Sequence, residues 1–146
     1  TRAVQASDFF LGTYATCLSD DELLVSVDVP RSETNRVNFF QEVSRRQGDY
    51  AIAGLAASAI VDNGRLQVAR LVFFGVAEVP VSAEPAQRLL MDTPVSEIDA
   101  DHICSVVAGS IAPLGDLTSS GDTKLAIMQV LLRRALESFA NQDSAA

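Results

Sequence analysis

Histidine and cysteine are nearly absent from this chain, which has one histidine, His102, and two cysteines, Cys17 and Cys104. A structural zinc site of the Cys/His type fails on that count. A Ser-His-Asp triad would have to use His102, and no serine stands in a nucleophile-elbow sequence. There is no P-loop and no GxGxxG fingerprint, and Gly75 followed by Val76 and Ala77 does not make a phosphate cradle. Asp99 and Asp101, two apart on a predicted helix, do not face each other as an acid–base pair would. No apolar run reaches the roughly 18–20 residues of a membrane-spanning helix. The N-terminus lacks the basic-then-apolar pattern of a signal peptide. Basic charge is scarce as well: 11 Lys and Arg stand against 19 Asp and Glu, for a net charge of −8. That balance argues against nucleic acid or an anionic membrane as a partner. The cysteines are read as free, small and buried, and they fit a reduced cytoplasm.

What is present is apolar and patterned. A chain of 146 residues suggests one domain, able to bury roughly 70% of its extended-chain surface. At 48% hydrophobic and a mean hydropathy of +0.20 it is globular, and somewhat apolar for a free-standing monomer. A surface normally covered by another protein, or by a second copy in a homo-oligomer, is implied. The chain opens at Thr1 and runs straight into Arg2–Phe10, which reads as the continuation of a longer protein.

Taken in order, Thr1–Val4 suits a short strand. Ala6–Tyr14 suits a brief helical segment with Ser7 as N-cap and Phe9, Phe10 and Tyr14 as anchors. Ser19–Glu22 is a solvated acidic turn rather than a metal site, for want of further ligands. Leu23–Val29 alternates Leu23, Val25, Val27 and Val29 on one face, the pattern of a half-buried strand, and Pro30 ends it. A polar connection, Arg31–Arg36, leads to three further strands, Val37–Arg46, Tyr50–Val61 and Leu66–Gly75. Asn63-Gly64 between the last two is a hairpin signal. The small residues of Ala51–Ile60 predict a central strand covered on both faces. The period then changes to about 3.6, predicting helices over Ser82–Met91, Ser96–Gly109 and Asp122–Asn141. Pro85 is tolerated in the first turn of the first of these. Ser96 and Asp99 resemble a capping box for the second. The third has an apolar stripe of Leu125, Met128, Leu132, Ala135, Leu136 and Phe139. Arg133 and Arg134 are read as complementing that helix's dipole, or as forming an interdomain salt bridge. Strands first and helices after give an α+β fold: an antiparallel sheet of three to four strands packed against about three helices.

The stretch Val43–Gly54 concentrates the chain's polar chemistry. Arg45 and Arg46 stand before the turn Gln47-Gly48-Asp49, and Tyr50 follows at a strand mouth, its ring free to stack and its hydroxyl free to bond. If the strand runs through Arg46, the two arginines point to opposite faces and at most one shares a site with Tyr50. The plainer alternative for these four residues is a charged strand end plus a turn. No nucleophile–base pair is present to support an independent hydrolase.

Arg45-Arg46-Gln47-Gly48-Asp49-Tyr50-Ala51 also resembles a signature in the C-terminal domain of the FAD subunit of molybdenum hydroxylases. That family includes the carbon monoxide dehydrogenase medium subunit and the FAD-binding part of xanthine dehydrogenase. Three further pieces follow the same order. Asp8-Phe9-Phe10 through Val29-Pro30 is similar to the segment that closes the FAD-binding part. Val79-Pro80 through Leu90 is similar to the first-helix motif, and Asp116 with Leu131–Leu136 to the last helix. This chain departs from the family pattern in several places, and the arginine expected after the proline motif is missing, where Val81-Ser82-Ala83 stand. Gln87 stands for a glutamate, Thr123-Lys124 for a Tyr-Arg pair, and Glu42 for a flavin-facing lysine found in some members.

The resemblance implies a domain plan: residues 1–30 as the tail of the FAD-binding domain with a connecting strand, 31–141 as the flavoprotein C-terminal domain, and 142–146 as a frayed tail. It implies FAD as cofactor, with Tyr50, Asp49, Arg45 and Arg46 on the flavin side and no catalytic or metal-ligating residue in this chain. It implies as partners an N-terminal FAD-binding half and iron–sulfur and molybdopterin subunits. In the whole enzyme, electrons would pass from molybdopterin through [2Fe-2S] clusters to FAD and on to an acceptor. The alternative is a non-catalytic protein-interaction module derived from the same domain and unable to bind FAD alone.

Overall fold

The computed structural model describes residues 1–31 and 35–141. Part of the connection predicted over Arg31–Arg36, and all of the tail predicted over 142–146, lie outside the described residues. A small N-terminal unit contains α1 (Ala6–Phe9) and a two-stranded hairpin, β1 (Phe10–Gly12) with β2 (Ala15–Thr16). The main sheet is built from three long antiparallel strands, β3 (Arg36–Ser44), β4 (Ala51–Asp62) and β5 (Arg65–Phe74). Two short strands, β6 (Val81–Ser82) and β7 (Thr93–Pro94), pair with β5. The helices are α2 (Glu84–Leu90), α3 (Ala100–Ser110) and α4 (Gly121–Asn141). The predicted α+β architecture is present, with β6 and β7 added to the three long strands.

The β4–β5 hairpin turns where Asn63 and Gly64 adopt positive φ, 49° and 71°, the conformation that a two-residue type I′ turn requires. Pairing sorts the side chains by face. Val37, Phe39, Gln41 and Val43 of β3 lie with Ala53, Leu55, Ala57 and Ala59 of β4, and with Ala69, Leu71 and Phe73 of β5. This face carries the core. Against it pack Ala86 and Leu90 of α2 and Met128, Leu131, Leu132, Ala135, Leu136 and Phe139 of α4, while Ile103, Cys104 and Val107 bring α3 into the core beside α2 and α4. The predicted α4 stripe is thus present, joined by Leu131, with Leu125 only half-buried.

The expectation that β4 is covered on both faces is met by helices on one face only. The opposite face bears Phe40, Gly54, Ala56, Ser58, Arg70, Val72 and Phe74, and no helix among the described residues covers it. Phe40 is 69% exposed and stacks on Phe74 at 5.4 Å, 15° from parallel. Phe74 reaches it by lying across Gly54, where a Cβ would stand 2.1 Å from the ring. The small residues of β4 therefore admit a helix on one side and an aromatic ring on the other.

Several local expectations are corrected. Thr1–Val4 forms no strand, and Gln5, not Ser7, occupies the cap position of α1, without a side-chain cap bond. Tyr14 anchors nothing; it sits on the β1–β2 turn at φ 58°, fully exposed. Leu23–Val29 is extended but pairs with nothing among the described residues, and Leu23, Val25, Val27 and Val29 are between 72% and 85% exposed. The helix predicted from Ser96 begins later. Val95–Glu97 is a 3-10 turn, and Asp99 caps α3 by accepting the His102 N–H at 3.0 Å. Ser96 takes no part in that cap. Arg133 and Arg134 lie two turns before the end of α4, beyond the reach of a dipole effect that fades within the last turn. They bind sideways instead, Arg133 to Asp101 of α3 at 2.5 Å and Arg134 to Gln41 of β3 at 3.1 Å. Both cysteines are free; Cys104 is buried and Cys17 only half-buried.

Two ionic clamps secure the periphery. Near the N-terminus Arg2 grips Glu22 with two nitrogens, at 2.8 and 2.7 Å, and also donates to the Cys17 carbonyl at 2.6 Å. That guanidinium, with the Ser19 N–H, lowers the Glu22 carboxyl to about 2. At the head of α4 the Lys124 ammonium meets Asp116 at 2.7 Å and the Gly75 carbonyl at 2.8 Å. Asp116 also accepts from the Thr118 N–H and hydroxyl and from the Ser119 N–H. Lys124 and these donors hold its carboxyl well below the ordinary carboxylate range.

Two tests follow from this packing. Gly54→Ala should force the Phe74 ring off β4 and destabilise the fold by about 1–3 kcal/mol. In a Phe74→Ala background the added cost should fall below half, as read by chemical denaturation. Asp116, depressed in the folded state, contributes stability that is present above its unfolded value, about 4, and is lost as pH falls through its folded value. Asp116→Asn should therefore be less stable than the parent at pH about 6, with the gap closing below pH about 3. A gap that stays constant down the acid limb of a denaturation series would contradict this.

Candidate functional site

The four residues singled out in the sequence form one cluster, organised by the Asp49 carboxylate. β3 ends at Ser44, whose hydroxyl donates to the Arg46 carbonyl at 3.0 Å. The chain then turns through Gly48, at φ 79° with open space where a Cβ would be. The Asp49 N–H returns to the Arg46 carbonyl at 3.2 Å. One Asp49 oxygen accepts the Tyr50 N–H at 2.9 Å. The other faces Arg46 Nε at 3.4 Å and an Arg45 guanidinium nitrogen at 3.8 Å. The expectation that the arginines diverge is thereby corrected. Both lie past the last residue of β3, so strand alternation no longer governs them.

Exposure differs sharply within the cluster. The Asp49 side chain is 18% exposed, whereas Tyr50 is 88% exposed at the entry to β4. The carboxylate is an internal strut, and the tyrosine is the surface it presents. Solvent-facing ion pairs such as Arg45–Asp49 and Arg46–Asp49 are each worth at most about 1 kcal/mol, so the arginines shape the turn more than they stabilise the fold. An exposed aromatic plane with a fixed backbone suits stacking on a flat conjugated ring. The turn's Asp49 and Tyr50 N–H groups already bond the Arg46 carbonyl and the Asp49 carboxylate, so they offer no free pair of backbone donors to a diphosphate.

The sequence reading missed the support behind Tyr50. Gly75, at φ 74° just past β5, lies directly over the start of β4. A Cβ on it would fall 2.9 Å from the Ala51 carbonyl oxygen and 3.1 Å from that of Ile52. Lys124 holds the Gly75 carbonyl, and the Leu114 N–H holds that of Val76 at 2.8 Å. The available signal was a lysine adjoining the apolar stripe of α4, in the first turn, where a positive charge opposes the helix dipole. Two of the departures in the sequence are filled by working contacts. Gln87 accepts the Leu71 N–H at 2.7 Å, and Lys124 makes the clamp just described. Glu42 stays exposed on the uncovered sheet face, opposite Gly54. His102 is exposed in the first turn of α3, outside the cluster. Among the described residues no group of His, Cys, Asp and Glu could hold a metal ion, and no helix is long and apolar enough to cross a membrane.

Comparison with known proteins places this geometry. Residues 38–139 match the family profile of the CO dehydrogenase flavoprotein C-terminal domain. The chain is 29% identical, over 93% of its length, to the carbon monoxide dehydrogenase medium chain of Afipia carboxidovorans, of which it covers 47%. It is 26% identical to the glyceraldehyde dehydrogenase medium chain of Sulfolobus acidocaldarius, over 96% of this chain and 50% of that one. Among solved structures, quinoline 2-oxidoreductase from Pseudomonas putida 86 superposes with a TM-score of 0.85 at 30% identity, over 97% of this chain and 49% of that one. The Cu,Mo-CO dehydrogenase superposes with a TM-score of 0.86 at 28% identity, over 96% of this chain and 49% of that one. The chain thus spans about half the length of the curated relatives it matches. With the profile matched from β3 to the end of α4 and the same fold in these structures, this chain belongs to the CO dehydrogenase flavoprotein C-terminal domain family.

Proposed function

We propose that this chain is the C-terminal part of an FAD-binding subunit of a molybdenum-containing hydroxylase or dehydrogenase, and that it seats one side of the flavin ring. The observation that carries the reading is Tyr50, 88% exposed at a strand mouth whose backbone is pinned by a shielded carboxylate. Family membership supplies the ligand class. In such a subunit the bound flavin supplies the redox chemistry, relaying electrons between [2Fe-2S] clusters and an acceptor. The residues here supply placement. Tyr50 offers its ring and hydroxyl, Asp49 fixes the Tyr50 peptide, and Arg45 and Arg46 hold Asp49 and add positive charge at the rim. The site has an aromatic plane and lacks a diphosphate cradle. It therefore fits the ring end of FAD, and the phosphates fall to an N-terminal FAD-binding half.

The surface supports the same assignment. Residues 1–30 belong, on this reading, with the N-terminal half, and the exposed apolar row of Leu23–Val29 suits burial against it. The uncovered sheet face around Phe40 is then available to the N-terminal half or to the iron–sulfur and molybdopterin subunits. Such contacts account for the exposed apolar residues without a separate interaction-module function or a homo-oligomer. The two free thiols suit a reducing compartment, the cytoplasm.

Tyr50→Ala in the complete subunit should weaken FAD binding by about two- to tenfold, the range of one aromatic contact, or shift the flavin midpoint potential. Tyr50→Phe should keep most of the affinity. An affinity and a potential both unchanged in Tyr50→Ala would remove the assignment.

A further inference from the structure

We propose that Lys124, remote in sequence from the Arg45–Tyr50 turn, is a positioning residue for the Tyr50 mouth. It acts through the backbone of Gly75. This inference rests on the reading of Tyr50 as the flavin contact.

Lys124 is placed where neither its helix nor its burial favours it. It lies in the first turn of α4, where the helix dipole is positive. Its side chain is 6% exposed, and a buried ammonium is unfavourable unless it is paired and hydrogen-bonded. The pairing comes from Asp116 and the hydrogen bond from the Gly75 carbonyl. Asp116 sits in the α3–α4 loop, and its ion pair ties that loop to α4. The bond to Gly75 does something different, since it fixes the exit of β5. That exit is in backbone-to-backbone contact with the first two peptides of β4, close enough that Gly75 tolerates no Cβ. Tyr50 is the residue immediately before those peptides. Ammonium, Gly75 carbonyl and the Ala51–Ile52 peptides thus form a short rigid relay ending at the tyrosine. The Leu114 N–H, on the next carbonyl along, holds the same exit from the loop side.

The two bonds of Lys124 can be separated. Asp116→Asn removes the ion pair and leaves the ammonium free to hold Gly75, so it reports on stability alone. Lys124→Met removes both bonds. In the complete subunit loaded with FAD, Lys124→Met should weaken FAD binding about fivefold when Tyr50 is present. In a Tyr50→Ala background the same substitution should change it less than about twofold. Asp116→Asn and Lys124→Arg should each stay within about twofold of the parent. Independently of flavin, amide hydrogen exchange over residues 49–53 should rise in Lys124→Met and not in Asp116→Asn. If Lys124→Met does not fold, Gly75→Ala, which presses on Ala51 from the other end of the relay, should give the same Tyr50-dependent loss. An equal loss with and without Tyr50 overturns the proposal, as does a loss in Asp116→Asn matching that in Lys124→Met, or unchanged exchange over 49–53. If Tyr50→Ala itself leaves FAD binding and potential untouched, the flavin assignment fails, and the exchange measurement alone decides whether Lys124 positions the mouth.

Discussion

The smallness of β4 is the constraint on which the rest of the structure depends. On its inner face Ala53, Ala57 and Ala59, with Leu55 between them, are at most 7% exposed, and α4 lies directly against them. On its outer face Gly54 is the floor for the Phe74 ring, and Phe74 in turn carries Phe40. Protein interiors are close-packed, so a larger side chain at either set of positions must displace a neighbour that has nowhere to go. The strand can be small because its neighbours are large: Phe73, Leu71, Phe139 and Leu132 fill the inner layer. The same strand begins at the Asp49–Tyr50 turn. The position of the candidate site is therefore fixed by the part of the sheet with least freedom to shift.

The three long strands and α4 were legible because each has a sustained period bounded by strong stops, with Asn63-Gly64 between β4 and β5 and Gly121 at the start of α4. What misled was context outside the periodic segment. Leu23–Val29 alternates as a half-buried strand should, but alternation says only that one side is to be covered, not by which part of the protein. Arg45 and Arg46 were assigned opposite faces because the strand was extended through them. Stopping β3 at Ser44 lets both reach Asp49. Arg133 and Arg134 were read by sequence proximity to a helix end, whereas their partners, Asp101 and Gln41, are remote in sequence and adjacent only once the helices dock.

The candidate site was half legible. Its turn chemistry was visible, since Gly48 supplies the positive φ and Asp49 can bond the following N–H, as short polar side chains do in turns. Its support was not. Gly75 and Lys124 lie 49 positions apart, and a contact from a side chain to a distant backbone carbonyl leaves no periodic trace. In the sequence Lys124 is visible only as a departure from the family pattern.

The departures make contacts of their own in this chain. Gln87 accepts the Leu71 N–H, so the link between α2 and β5 is made here by a neutral amide oxygen. Lys124 reaches the Gly75 carbonyl with its ammonium, a contact that uses one donor and no planar fork. Both side chains serve a backbone group of the fold, the Leu71 N–H and the Gly75 carbonyl. Glu42 has no such obligation. It stands on the uncovered face, exposed and opposite a glycine, where only a neighbouring molecule could define its role. Gln87 and Lys124 are thus held by the fold's own hydrogen bonds, whereas Glu42 faces outward from the sheet.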